Sequence, residues 1–349
     1  MASRALYAGI GLGSHLALPH IGYPAMLSRC GWQVEHLSEE DAPTARLADY
    51  DLIIWNGTIP ESALRAVSAS QTLIAMNGAG GDCRHYVRYG DRIALATTSF
   101  SYSDDPPFPI RRPFGVADMV SKQYVLELIT RAGHRYSTYG SPQFWAKVGA
   151  PLMYLPFAAD PERFRPSGAP KDLRWCFVGQ LARRPLVAQL AEISDRRGWR
   201  YELYGPEVNR RIAPTQLHGL YDRCEIGFNT QNVLHFGREL NERSFDMGMV
   251  GLTQVSDMGW LGRGDLDPTV RFYSESIASA SDIETVVAMV AEPPADEDRA
   301  AVHDFYRRRH SFAARIVQIS NVLGQDLTLG NLADAGDYLM LPGQTRPRE

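Results

Sequence analysis

Short apolar runs that end at glycine or asparagine and give way to helical patterns recur along this chain, and that alternation limits its fold more than any other feature. Residues 5–10 read as a buried strand, 33–37 as a short one, 51–56 as a longer one, and 73–76 and 93–97 as two more. Helical patterns lie over 19–30 and over 60–67, the latter with Pro60 at its start. Strands buried on both faces are apolar throughout instead of alternating, so the pattern predicts a parallel sheet covered by helices on both sides. After a proline-rich loop at 104–113, the pattern predicts helices over 116–131 and 142–148, then a strand at 151–155.

The segment 156–166 carries Pro156, Pro161 and Pro166, which stiffen it against helix formation. Beyond it the series starts afresh. Strands are expected at 173–178, 201–204, 225–229, 252–255 and 271–273, with helices at 185–197, 214–223, 241–248, 282–290 and 300–323 between and after them. A chain of 349 residues exceeds what one core usually covers. The expectation is two Rossmann-like domains, 1–157 and 158–325, with the last helix able to pack back toward the first domain and a loosely attached tail over 326–349.

Composition excludes several classes. With 22% charged residues and a formal net charge of -4, the chain shows no strong electrostatic pull toward nucleic acid or anionic membrane. Its arginine clusters, such as Arg111-Arg112 and Arg307 to Arg309, read as solvated patches. Cys30, Cys83, Cys176 and Cys224 lie far apart without a Cys-x-x-Cys pair, which argues against a zinc site or a disulfide scaffold and fits a reducing cytoplasm. The first twenty residues lack a clear cleavage site, and no apolar stretch approaches the ~20 residues of a membrane span.

In open parallel sheets, ligands bind beyond the carboxyl ends of the strands. The loop Gly9-Ile10-Gly11-Leu12-Gly13-Ser14 is one residue short of the dinucleotide pattern, so Gly11 and Gly13 read as a turn that lets a substrate or the second domain approach the backbone. His15 and His20 flank it, each either a surface histidine or a general base. Asn77-Gly78-Ala79-Gly80-Gly81-Asp82 follows another strand, and Asp82 is either a turn cap or an acceptor-side contact or catalytic group. In the second series, Gly179 ends a strand and Arg183 and Arg184 stand at the next helix entrance. Amides and guanidinium groups there would hold a diphosphate, unless the arginines are only surface charge.

Residues 238–253 supply a second phosphate-suited helix start. Asn241 is placed to cap it, Arg238 and Arg243 add positive charge, and Asp246 sits one turn in, where two acceptor oxygens could reach a ribose diol. Gly251 ends the helix. As bare chemistry the alternative is a surface helix laced with ion pairs.

The run Arg243-Ser244-Phe245-Asp246 with Gly251 five residues after the acid resembles the Arg-x-Phe-Glu…Gly signature of the CgeB-like (spore maturation protein) glycosyltransferases, relatives of the retaining GT4-type enzymes. Leu155-Pro156-Phe157-Ala158-Ala159-Asp160-Pro161-Glu162-Arg163-Phe164 is similar to that family's interdomain segment, and Phe177-Val178-Gly179 to its first C-terminal strand. The resemblance covers roughly residues 150 to 320. It departs from the family in two places: Asp246 replaces a glutamate, and Arg238, with Glu239 beside it, stands where the wider group often carries a second glutamate.

The resemblance implies a GT-B fold, two Rossmann-like domains facing across a cleft, the first for the acceptor and the second for the donor. It implies transfer of a sugar from a nucleotide-sugar co-substrate to an acceptor hydroxyl, with retention and without a metal or other cofactor; the Asp-x-Asp run Asp265-Leu266-Asp267, in a loop flanked by glycine and proline, carries little weight as a metal site. Gly179, Arg183, Arg184, Asn241, Arg243 and Asp246 would bind the donor, and His20, Asp82 and Glu239 are the candidates to assist transfer. The acceptor is open among glycan, protein, small molecule and nucleic acid. Alternative readings are a nucleotide-sugar epimerase, a catalytically silent carbohydrate-binding relative, and a nucleic-acid-modifying glycosyltransferase.

Overall fold

The computed structural model describes residues 3–9, 18–38, 41–56, 59–76, 88–89, 93–97, 109–111, 117–119, 152–155, 157–182, 184–230, 241–257, 269–274, 279–293 and 299–332, with backbone alone at 18–21, 95–97, 109–111, 117–119 and 152–154. Two parallel sheets organise it. The first is built from β1 (Arg4–Gly9), β2 (Gln33–Ser38), β3 (Leu52–Asn56), β4 (Thr72–Met76), β5 (Ala94–Thr97) and β8 (Leu152–Tyr154), in the order β2-β1-β3-β4-β5-β8. Helix α1 (Leu18–Arg29) and helix α2 (Glu61–Ala66) connect its early strands. Strands β6 (Pro109–Arg111) and β7 (Ala117–Met119) pair antiparallel. They correct the helix expected from residue 116: Pro113 and Gly115 separate two short extended runs in sequence, and turn residues at that spacing favour a hairpin.

The second sheet contains β9 (Trp175–Val178), β10 (Tyr201–Tyr204), β11 (Gly227–Phe228), β12 (Gln254–Ser256) and β13 (Arg271–Phe272). Strand β9 pairs with β10 on one side. On its other side it meets the run into β11, where the Glu225 and Ile226 amides donate to the Leu173 and Arg174 carbonyls (2.8 and 3.1 Å). The order is therefore β10-β9-β11-β12-β13, with all pairs parallel. Helices α3 (Pro185–Arg197), α4 (Leu217–Asp222), α5 (Glu242–Met249), α6 (Ile283–Ala291), α7 (Arg299–His310) and α8 (Phe312–Leu323) complete the described set. One face of this sheet buries Trp175, Phe177 and Phe228 against α3 and α6. The other buries Cys176 with Tyr221 of α4, Phe245 and Met249 of α5, and Tyr306 of α7.

Local chemistry accounts for the helix limits. Pro185 opens α3 where no N–H is needed, and Gly198 closes it in the left-handed region at φ 68°. Ser311 caps α8 by accepting from the Ala314 amide. Within α1 the Ser28 hydroxyl donates back to the Pro24 carbonyl at 3.0 Å.

Helix α8 leaves the second sheet and packs on the first. Phe312, Ala313, Ile316 and Ile319 share one core with Tyr7, Tyr23, Leu27 and Trp32. The Phe312 ring lies so close over Gly22 of α1 that a Cβ there would collide with it. At the corner between α7 and α8, fully buried Arg315 donates to the carbonyls of Arg309 and Phe157 (both 2.7 Å) and to Gln318 Oε1 (2.8 Å), tying the returning helix to the outgoing connector. Residues 326–332, expected in a loose tail, are docked: Leu327 is buried, its carbonyl accepts from Trp32 Nε1 at 2.8 Å, and Asn331 Nδ2 donates to the Cys30 carbonyl at 2.9 Å. Among the described residues, no helix is long and apolar enough to cross a membrane.

Candidate functional site

In both sheets the strand order reverses direction beside the first strand, between β1 and β3 and between β9 and β11. Such a reversal sends the two following connections to opposite faces and opens a crevice at the carboxyl ends of those strands. In the first sheet these ends are Gly9 and Asn56. Gly11, Gly13, His15, Asp82 and Glu239 lie outside the described residues, as do Arg183, Arg238, Cys83 and the Asp265-Leu266-Asp267 run; His20 lies in α1, with only its backbone described.

In the second sheet the ends are Val178 and Phe228, and two arginines meet there. Arg243, in the first turn of α5, donates through Nη1 to the Val178 carbonyl and through Nη2 to the Thr230 carbonyl at 3.2 Å. Arg184 donates through Nε to the same Thr230 carbonyl at 3.1 Å and through Nη1 to the Gln180 carbonyl. Both guanidinium carbons sit over the Phe177 ring, Arg243 at 4.6 Å and Arg184 at 5.4 Å from its centroid. Gly179 makes this approach feasible: its φ is +149°, and a Cβ there would lie 2.6 Å from Arg243 Nη1.

Two like charges sharing one carbonyl and lying near one ring repel each other. Burial lowers the Arg184 pKa to about 10, with the charge of Arg243 adding to the effect and Asp257 and Glu207 opposing it. Burial likewise lowers that of Arg243. Both stay protonated at neutral pH, so the crevice concentrates positive charge in a partly desolvated place.

Helix α5 is fixed by a buried polar relay. Asn241 Oδ1 accepts from the Ser244 amide (3.3 Å), capping the helix, while its Nδ2 donates to Asn229 Oδ1 (3.0 Å). Asn229 Nδ2 in turn donates to Ser244 Oγ (2.8 Å), and Tyr273 Oη donates to the Asn229 carbonyl (3.0 Å). Thr230 Oγ1 donates to Asp257 Oδ2 at 3.2 Å. The end of β11 and the start of α5 are thereby locked together. At its far end α5 stops at Gly251, whose φ of +84° and close approach to the Arg299 carbonyl both require glycine.

Asp246 occupies the next turn. Burial, reinforced by the charge of Glu242 four residues earlier, pushes its pKa up to about 8, against the pull of Arg163 and Arg243. At neutral pH it is mainly a neutral carboxylic acid, able both to donate and to accept a hydrogen bond.

The amides after β9, expected to be open to a phosphate, are engaged. Leu181 and Ala182 donate to the two oxygens of Glu207 at 3.0 and 3.1 Å. Those amides and the Arg184 charge hold the Glu207 carboxyl below the usual glutamate range. Sequence reasoning passed over Glu207 and Asn229, which lie 23 and 12 residues from the motifs they serve (207 − 184 and 241 − 229); the signal that could have found them is their place just after strands β10 and β11.

No family model matches the sequence, and no curated protein matches it either. Solved structures do. The chain is similar to the catalytic domain of starch synthase IV from Arabidopsis thaliana, bound to ADP and acarbose, with TM-score 0.52 and 11% identity over 94% of this chain and 99% of that one. It is similar to sucrose-phosphate synthase from Thermosynechococcus elongatus with TM-score 0.50 and 10% identity over 92% and 98%. The chain has the GT-B fold. At such identities the likeness concerns the backbone and assigns no chemistry.

Proposed function

We propose that this protein is a glycosyltransferase that takes a sugar from a nucleotide-sugar donor and passes it to an acceptor hydroxyl. The observation that carries the reading is the pairing of Arg184 and Arg243 at the reversal point of the second sheet, where the fold leaves a crevice and the sequence supplies two half-buried cations. A diphosphate suits them: it is anionic in the intact donor, bond breaking at the anomeric carbon leaves one more negative charge on the nucleotide, and preorganised guanidinium groups favour that more highly charged leaving group. The starch synthase domain of matching fold was solved with ADP bound, which agrees with a nucleotide ligand.

In this reading the second half, 158–325, binds the donor, Asn241 fixes the helix that carries Arg243, and Asp246 faces the ribose as a neutral acid. Arg183 joins Arg184 at the phosphates. The first half, 1–157, holds the acceptor, with Gly11, Gly13 and His15 in its loop; His20 and Asp82 of this half and Glu239 of the second are the groups to test for assistance in transfer. Retention of configuration, independence from metal and kinship with the CgeB-like group belong to the same proposal and rest on the sequence signature; a cytoplasmic location rests on the scattered cysteines.

Differential scanning with UDP, ADP, GDP and their sugar conjugates tests it. One of them is expected to raise stability by about 2.7 kcal/mol at a hundred times its dissociation constant. The Arg184→Ala variant should lose most of that gain. If none of these ligands moves the transition of the wild-type protein, the proposal fails; conversion of donor without acceptor would instead mark an epimerase.

A further inference from the structure

The Glu207 contact has the form of an anion bound in a phosphate position. Both carboxylate oxygens are used, one on each of two successive amides, and those amides lie between Gly179 and the start of α3. The loop that delivers the carboxylate is tightly built. The Gly205 amide donates to the Arg210 carbonyl (2.8 Å) and the Arg210 amide back to Gly205 (3.3 Å), while Asn209 takes φ 48°. Gly205 packs against the Gly179 carbonyl so closely that no other residue fits, and the Gly179 amide donates to the Tyr204 carbonyl at 2.9 Å. Glu207 is thus held on the β10 side of the carboxyl end of β9, close enough to act on Arg184, while Arg184 and Arg243 occupy its β11 side. Ala182 and Glu207 are both exposed, so the contact is open to a competing ligand.

We infer that Glu207 is a resident stand-in for a donor phosphate: its carboxylate caps the Leu181 and Ala182 amides until the diphosphate of an incoming nucleotide displaces it. This makes it a specificity-determining residue. A ligand with phosphate recovers the two amide bonds it breaks and adds contacts to the arginines, whereas a nucleoside has nothing to put in their place. With Glu207 seated, the carboxylates of Glu207 and Asp257 act on Arg184. An exposed pair of charge-assisted hydrogen bonds is weak enough to exchange on binding.

The inference rests on the donor-site reading, and calorimetric titration separates the two. Wild type, Glu207→Ala, Glu207→Asp and Arg184→Ala are titrated with UDP, ADP and GDP and with the parent nucleosides. For whichever diphosphate binds, Glu207→Ala should tighten binding about fivefold to twentyfold, because the ligand no longer has to break the resident contact, and nucleoside affinity should stay unchanged. Glu207→Asp keeps the charge but is one methylene too short to span both amides, so it should also tighten. A Glu207→Ala protein that binds the diphosphate no better than wild type overturns the inference. So does tightening in Glu207→Ala with wild-type affinity in Glu207→Asp, which would mean only through-space charge, and so does equal tightening for the nucleosides. In each of those cases, weakened binding by Arg184→Ala leaves the donor site standing. Binding of no diphosphate by either wild type or Glu207→Ala removes the donor site and this inference together.

Discussion

Replacing Asp246 with asparagine should stabilise the ligand-free protein, and the gain should grow with pH. The folded chain holds this carboxyl near a pKa of about 8, where an unfolded aspartate has 3.8. The folded-state value is raised, so folding disfavours the ionised form. The penalty is absent below pH ~4, where both states are protonated, grows as pH climbs, and levels off above pH ~8, where both are ionised. Each tenfold difference in acidity between the folded and unfolded chain corresponds to about 1.4 kcal/mol, so between pH 5 and pH 9 the stability difference between Asp246→Asn and wild type should widen by on the order of 3–4 kcal/mol. Denaturant unfolding of both proteins at pH 5, 6, 7, 8 and 9 reads this directly, with the slope against denaturant checked for constancy. A difference that stays flat from pH 5 to pH 9 would mean that Asp246 is ionised and satisfied throughout, and the account of it as a neutral acid would be wrong.

Three further outcomes follow from packing and hydrogen bonding. Gly179→Ala places a methyl 2.6 Å from Arg243 Nη1 at a φ few side chains adopt, so it should cost about 2–4 kcal/mol and weaken nucleotide binding at least tenfold, read by denaturant unfolding and calorimetry. Asn229→Ala strands Asn241 and Ser244 in a buried relay and should lower stability by about 1–3 kcal/mol on thermal unfolding. Gly22→Ala drives a methyl against the Phe312 ring and should cost about 1–3 kcal/mol, with near-ultraviolet circular dichroism reporting the disturbed aromatic packing.

The features legible in the sequence are those set by neighbours along the chain. Asn241 could be read as a cap because it directly precedes a helical pattern, and Gly251 as a stop because it directly follows one. Continuous apolar runs such as Leu-Ile-Ile-Trp at 52–55 announced strands covered on both faces, and they are fully buried in β3. Contacts made across long separations were not legible. Nothing near Leu181 shows that Glu207 will bind its amide, since that depends on β9 and β10 lying side by side with Gly205 seated against Gly179. The charge pattern of α5 showed an acid at 246 but not its neutrality, which comes first from burial in the folded chain, with Glu242 of the same helix adding to it.

Because α8 belongs to the core of the first sheet while α7 belongs to the second, exchanging the second half between related proteins needs two joints, one near Phe157 and one at Ser311. A chimera cut only at the first would bring a foreign α8 to Gly22 and Trp32, and the mismatch would surface far from the seam. Arg315 bridges both joints, bonding to the backbone carbonyls of Arg309 and Phe157, so the returning helix has to keep its arginine while the residues it bonds to can change.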